Sequence, residues 1–336
     1  MIGRSSWTPW LWLAPALLLL AVFLVYPVIN TIFTSFLDKQ SGGGMIDFAK
    51  DPSLFVGFDN YQFILDNPQP LVIDTHAAIL NTALWMVVFP SVTVGLGLII
   101  AVLTSRVRYE AVAKAAIFIP MAISFVAAAV IWRFMYEFNT DIGTVNALTT
   151  GAGDFLDGRL GISSELVDPT AWLQNKDAPQ TWLTSAGPDQ LPGVLDTLRV
   201  NNFSLIAVGV WMWTGFAMVV LSAGLKGIST ELLEAARVDG ATEWQIFWRI
   251  IVPVLRPVII VVATTLVINA LKLFDLVFVI TGGSFDTDVI ATLFFSVSFD
   301  FRNFGLGAAL AVVLLIGVVP ITLLGIRRFQ LQEASE

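Results

Sequence analysis

Six apolar runs, each long enough to cross a bilayer as a helix, constrain this chain more than any other feature. A hydrocarbon core about 30 Å thick takes about 20 apolar residues in helical form. The runs fall at 10–36, 79–103, 115–136, 204–225, 258–280 and 306–326. Lipid offers no water to an open backbone, so such spans are α-helices. Charged residues are 13% of the 336 and hydrophobic ones 56%, against about 25% and 45–50% in soluble domains. The expected fold class is all-α, a polytopic membrane protein with six transmembrane helices. The first run exceeds the roughly 7–15 apolar residues of a secretory signal and reads as a retained helix. Pro15, Pro27, Pro90 and Pro120 lie inside runs and mark kinks.

The loops orient the spans. Ten Lys and Arg lie on the N-terminal side: Arg4, Arg106, Arg108, Lys114, Lys226, Arg237, Arg249, Arg256, Arg327 and Arg328. Six lie on the other side, spread over much longer loops: Lys39, Lys50, Arg159, Lys176, Arg199 and Arg302. Positive charge gathers on the cytoplasmic side, which puts both termini there. Of the 26 acidic residues, 18 fall in the external loops. The expected plan is an N-terminus with the first helix over 1–36, an external loop over 37–78, and a core over 79–326 with five spans. An external loop at 137–203 and a cytoplasmic loop at 226–257 interrupt that core, and 327–336 form a cytoplasmic tail. The loop 137–203 carries Trp172 and Trp182. They point to a small folded cap, either a docking surface for a soluble partner or plain packing. Ser41-Gly42-Gly43-Gly44 reads as a flexible linker.

Several function classes drop out. The net charge is −8, so nucleic acid has no basic surface to meet. With no Cys and one His, disulfides, thiolate chemistry and a multi-His metal site are excluded. The lone His76 reads as a solvated loop residue. No G-x-x-x-x-G-K-[ST] occurs, so ATP hydrolysis must reside elsewhere. Gly95-x-Gly97 lies in an apolar span and reads as packing. A membrane enzyme lacks both H-E-x-x-H and G-x-S-x-G.

The loop 226–257, KGISTELLEAARVDGATEWQIFWRIIVPVLRP, carries most of the information. Ser229 or Thr230 can cap a helix in which Glu231 and Glu234 meet the positive end of the dipole. Gly240 can take the left-handed conformation and end it. A second, amphipathic helix starts near Thr242 with Trp244, Ile246, Phe247, Trp248, Ile250 and Ile251, and Pro253 and Pro257 are expected to break it before the next span.

Glu234-Ala235-Ala236, three residues, Gly240, nine residues, then Ile250-Ile251-Val252-Pro253 resembles the EAA motif of binding-protein-dependent ABC transporter permeases. Val252 stands where Leu is commoner. LVFVITGG at 276–283 and the Phe-Gly-Leu-Gly step at 304–307 look like the maltose, trehalose and alpha-glucoside branch. The resemblance covers roughly 79–326. It implies a MetI-like permease fold in the bacterial inner membrane. It also implies two ATP-binding partner subunits that hold ATP and Mg, a second homologous permease and an extracytoplasmic sugar-binding protein. Glu234, Ala235, Ala236, Arg237, Asp239, Gly240 and Pro253 would couple the chain to the ATPase. The plainer alternative is an ordinary interfacial helix, which would favour Lys and Arg and would not need Gly240 and Pro253 at those places.

Polar groups in spans usually face a bundle interior. Thr265, Asn269, Lys272 and Asp275, at spacings of 4, 3 and 3, would share one helical face. They form either a structural ion pair between Lys272 and Asp275 or part of a sugar-lined cavity. Trp211, Trp213 and Phe216 add aromatic surface in the fourth span, and by resemblance Trp213 and Phe216 line the cavity. Leu266, Ala270 and Leu273 are apolar where the family's substrate positions fall. Arg133 and Glu137 read as a helix-end salt bridge. Alternative readings are an importer of another solute, such as a glycerol phosphate, or an ion-driven secondary transporter.

Overall fold

Apolar runs punctuated by proline and glycine become helices wherever the backbone can satisfy itself. The computed structural model describes residues 8–39, 41–68, 72–105, 107–160, 168–175 and 199–333. Among them no strand forms. The helices that matter are α1 Trp10–Thr34, α2 Thr75–Thr104, α3 Glu110–Ala122, α4 Phe125–Met135 and α5 Val200–Lys226. They are followed by α6 Thr230–Val238, α7 Glu243–Leu271, α8 Asp275–Ile280 and α9 Phe304–Glu333. Two compact units divide the chain, one of residues 1–76 and 293–316, the other of 77–292 and 317–336.

Two expected spans are interrupted. The run 115–136 is not one helix: α3 and α4 meet at a bend of 96°. Pro120 lies in a 3-10 turn over Ile119–Ala122, where its missing N–H costs nothing beyond the turn. Ser124 then caps α4, accepting from the Ala127 N–H at 3.2 Å. The run 258–280 is likewise broken, because α7 stops at Leu271 and α8 starts afresh at Asp275.

Nor do Pro253 and Pro257 break the helix that begins near Thr242. It runs through them from Glu243 to Leu271. A π-helical turn at Phe247–Ile251 precedes Pro253 by two residues. Widening the helix there accommodates a residue that cannot donate to the carbonyl four positions back. Pro27 repeats the device behind the π turn Ala21–Val25 in α1.

In the larger unit α5 is the central helix, with 67% of its most apolar window buried. Its glycines set how close neighbours come. A Cβ on Gly215 would stand 2.5 Å from the Ile117 carbonyl oxygen, and one on Gly97 of α2 would stand 2.7 Å from the Ala217 Cβ. Small residues thus let helix backbones touch, as is usual in membranes. Gly215→Val should therefore destabilise the detergent-solubilised chain by about 1–3 kcal/mol through overpacking, read as a lowered unfolding midpoint. An unchanged midpoint would remove this crossing from the account.

In the smaller unit the Ser41-Gly42-Gly43-Gly44 step is a packed turn rather than a flexible linker. Ser41 is fully buried, and the Met45 N–H donates to Asn30 Oδ1 at 3.0 Å. Gly44 has φ +59°, with the Asn30 and Thr34 side chains where a Cβ would lie. The glycines are there for close approach. The Phe304–Gly307 step serves the same end: a Cβ on Gly305 would strike the Leu37 carbonyl. His76 opens α2, exposed, its Nε2 2.8 Å from the Leu65 carbonyl oxygen. No part of the most apolar window of α1 is buried.

Between α4 and α5 a helix spans Thr144–Leu160. Buried Asn146 ties it down, donating to the Glu137 and Thr170 carbonyls and accepting from Trp172 Nε1 at 2.8 Å. Trp172 also packs on Tyr136, ring centres 6.4 Å apart. Trp182 lies outside the described residues. Among the described residues no ion pair joins Arg133 to Glu137. The helix ends at Met135, so the i, i+4 register does not exist.

Candidate functional site

The loop after α5 folds into a rigid elbow. α6 ends in a paired cap: the Gly240 N–H donates to the Arg237 carbonyl at 3.1 Å, and the Ala241 N–H to the Ala236 carbonyl at 3.0 Å. This closure needs a left-handed residue, and Gly240 has φ +81°. Two residues on, Thr242 opens α7 with a capping box: the Gln245 N–H donates to Thr242 Oγ1 at 3.3 Å, and the Thr242 N–H to Gln245 Oε1 at 2.8 Å. Arg237 Nε reaches Glu243 Oε1 at 2.9 Å and staples the two helices. Ser229 holds the N-cap position of α6, but its hydroxyl makes no capping bond.

The elbow has two faces. Leu233, Ala236, Ala241, Ile246 and Ile251 pack into the hydrophobic core of the larger unit. Leu232, Val238, Trp244 and Trp248 face outward, with Val238 87% and Trp244 71% exposed. Glu234, Ala235, Asp239 and Pro253 are exposed as well. An apolar ridge with acidic neighbours is costly in water and suited to a complementary groove.

The second site is a cavity of about 180 Å³ at the break between α7 and α8. Trp213 of α5, Asn269 of α7, Lys272 in the break and Asp275 of α8 all line it. Lys272 and Asp275 do not share a helical face with Asn269, because α7 has ended before them. Among the described residues no ion pair joins Lys272 to Asp275, so the structural-pair alternative fails in this conformation. Asn269 Nδ2 donates to the Thr265 carbonyl at 2.9 Å, and Thr265 turns its own hydroxyl back to Val261.

Phe216 does not line this cavity; it backs Trp213 edge-on, with ring centres 5.5 Å apart. Trp211 lies elsewhere, against Trp132 at 5.5 Å. Ala270 and Leu273 do line it, and Leu266 is buried outside it.

Sequence reasoning missed Trp85, Phe89, Phe125 and Phe274, which complete the wall. Trp85 is 1% exposed, and a Cβ on Gly209 would lie 2.9 Å from its ring. Among 11 Trp and 25 Phe, nothing local marks these four. Polar residues gave a usable signal that went unread. Asn202 Nδ2 donates to Asn81 Oδ1 at 2.8 Å, and Asn81 Nδ2 to the carbonyls of Asp286 and Asp288. These asparagines pin the 281–289 loop to α2 and α5. Arg199 pairs with Asp286 beside them.

Comparison with known proteins gives consistent matches. The family model for a binding-protein-dependent transport system inner membrane component matches residues 93–330. The osmoprotective compounds uptake permease protein GgtC of Synechocystis sp. is 42% identical over 96% of this chain and 99% of its own. The alpha-glucoside transport system permease protein AglF of Rhizobium meliloti is 40% identical over 96% of this chain and 82% of its own. Among solved structures, a bacterial ABC transporter that imports the acidic polysaccharide alginate superposes with a TM-score of 0.67 at 21% identity, covering 96% of both chains. The likeness extends to the fold alone.

Proposed function

This chain belongs to the binding-protein-dependent transport system inner membrane components, a membrane-spanning permease subunit rather than an enzyme, and from that premise we infer that it forms half of the translocation path of an ATP-driven sugar importer. Its solute is a di- or oligosaccharide of the alpha-glucoside kind. It works with two ATP-binding subunits that hold ATP and Mg, a second homologous permease and an extracytoplasmic sugar-binding protein. It lies in the bacterial inner membrane with both termini in the cytoplasm.

The elbow carries this reading. A short helix locked to a long one by the Gly240 turn and the Arg237–Glu243 staple moves as a body. α7 continues without a break from the elbow to Leu271, at the rim of the cavity. Closure of an ATPase pair around Leu232, Glu234 and Val238 would therefore tilt a helix whose far end lines the solute path, a rigid-body transmission.

The cavity supports the solute class. Aromatic Trp213 offers a face to the C–H side of a sugar ring, and Asn269, Lys272 and Asp275 offer hydrogen bonds to hydroxyls. One ammonium and one carboxylate balance, which suits a neutral solute over an anion such as a glycerol phosphate. Uptake of an osmoprotective compound is a second reading, favoured by the 42% identity to GgtC.

The test is solute uptake by proteoliposomes holding the complex that co-purifies with this chain, with radiolabelled maltose, trehalose, glycine betaine and glycerol 3-phosphate as probes. A disaccharide should enter only with ATP on the ATPase side. Entry driven by an ion gradient without ATP, or preference for glycerol 3-phosphate, would overturn the proposal.

A further inference from the structure

α2 ends at Thr104 and α5 at Lys226, and beneath the elbow a second cavity of about 190 Å³ opens between these ends. Ser222, Lys114, Lys226 and Arg237 supply its polar wall, and Leu225 and Ile251 part of its apolar one. Ser222 is only 4% exposed, yet its hydroxyl has no hydrogen-bond partner. Hydroxyls in these helices normally return to the carbonyl four residues back, as Thr214 does to Val210 at 2.6 Å. A buried hydroxyl without a partner in the chain is a donor open to a water or a ligand.

The charges name the acceptor. Lys114 and Lys226 converge on one oxygen of Glu110, at 2.6 and 3.2 Å. Two ammonium groups share one carboxylate, and each keeps donors to spare. Arg237 gives only its Nε to Glu243, leaving the terminal nitrogens of its fork for an anion. Among the described residues three cations of the lining, Lys114, Lys226 and Arg237, gather around the cavity, and no carboxylate lines it, so it suits a negative group rich in acceptor oxygens. The cavity lies where two apolar spans end, which is the headgroup level of a bilayer, and basic pockets between helices at that level take anionic headgroups.

We propose that this cavity binds the phosphate of an anionic phospholipid. Ser222 donates to a phosphate oxygen, Lys114, Lys226 and Arg237 neutralise the charge, and the lipid braces α6 against the ends of α2 and α5. The inference is independent of which solute the chain carries.

Native mass spectrometry of the full-length chain released from phosphatidylcholine nanodiscs with a minority of phosphatidylglycerol tests it. Phosphatidylglycerol should be retained about fivefold above its share of the bilayer. Lys226→Gln and Arg237→Gln should each remove most of that excess, and Ser222→Met, which fills the cavity, should abolish it. Lys226 has a 69% exposed side chain, so its variant keeps the test valid even if Ser222→Met misfolds. Retention in proportion to bilayer share, or an excess that survives Lys226→Gln and Arg237→Gln, would overturn the proposal. Nanodiscs of phosphatidylcholine alone with added inorganic phosphate distinguish the source: phosphate held there as firmly as the lipid would replace the headgroup by a free anion.

Discussion

Gly240→Val is expected to leave the chain assembled with its partners and to cut solute uptake about tenfold or more while ATP hydrolysis continues. Gly240 has φ +81° and no atom within 4 Å of where a Cβ would stand. An added Cβ therefore meets no clash, and the strain of a replacement comes from backbone conformation. An L residue in the left-handed region costs roughly 1–2 kcal/mol, and a β-branched one is a stronger outlier. About 1.4 kcal/mol is a tenfold change in an equilibrium. The turn can relieve that strain only by losing the Ala241–Ala236 and Gly240–Arg237 bonds, and with them the fixed angle between α6 and α7. Gly240→Asn, whose side chain tolerates this conformation, should retain most of the uptake. Gly240→Asp tolerates it too but adds a carboxylate beside Asp239, and is expected to uncouple through charge. Wild-type uptake in a normally assembled Gly240→Val complex would show that the elbow angle does not matter.

Trp213→Ala is expected to raise the half-saturating solute concentration about tenfold, equivalent to about 1.4 kcal/mol, with little loss of assembled complex. The Trp213 ring lies 6.2 Å from Phe125 and 5.5 Å from Phe216. Its removal takes away one wall of the cavity while Phe216 still packs behind. Trp213→Phe keeps an aromatic face and should lose much less. Asn269→Ala should have a smaller effect in the same direction. One N–H of its amide is spent on Thr265, so the solute meets the carbonyl oxygen and the second N–H, each hydrogen bond being about 0.5–1.5 kcal/mol net. Unchanged affinity and rate in both variants would move the solute path away from this cavity.

The two sites differed in how far the sequence exposed them. The elbow was legible because its parts are local. Gly240 ends α6, Thr242 opens α7, and both act on backbone groups within a few residues of themselves. The role of Pro253 was misjudged for want of one local detail, the π turn ahead of it. The cavity was half legible. Trp213, Asn269, Lys272 and Asp275 were nameable as polar or aromatic groups in apolar runs, but their shared helical face was not real. Phe216 and Trp211 could not be told from lining residues, since an aromatic in a span gives no sign of which neighbour it faces.

By itself the sequence determined how many apolar segments the chain has, which loops are basic and where the elbow turns. Hydropathy, charge bias and glycine chemistry act over a few residues and need no partner. Only the tertiary structure decided that two of the spans are interrupted, that α4 leaves α3 at 96°, and that Trp85 reaches the cavity across Gly209. A helix can stop inside the membrane only where other helices or a polar cavity shelter its open backbone. Those neighbours come from segments as much as 207 residues away, as Asn81 and Asp288 do, and no local pattern records them.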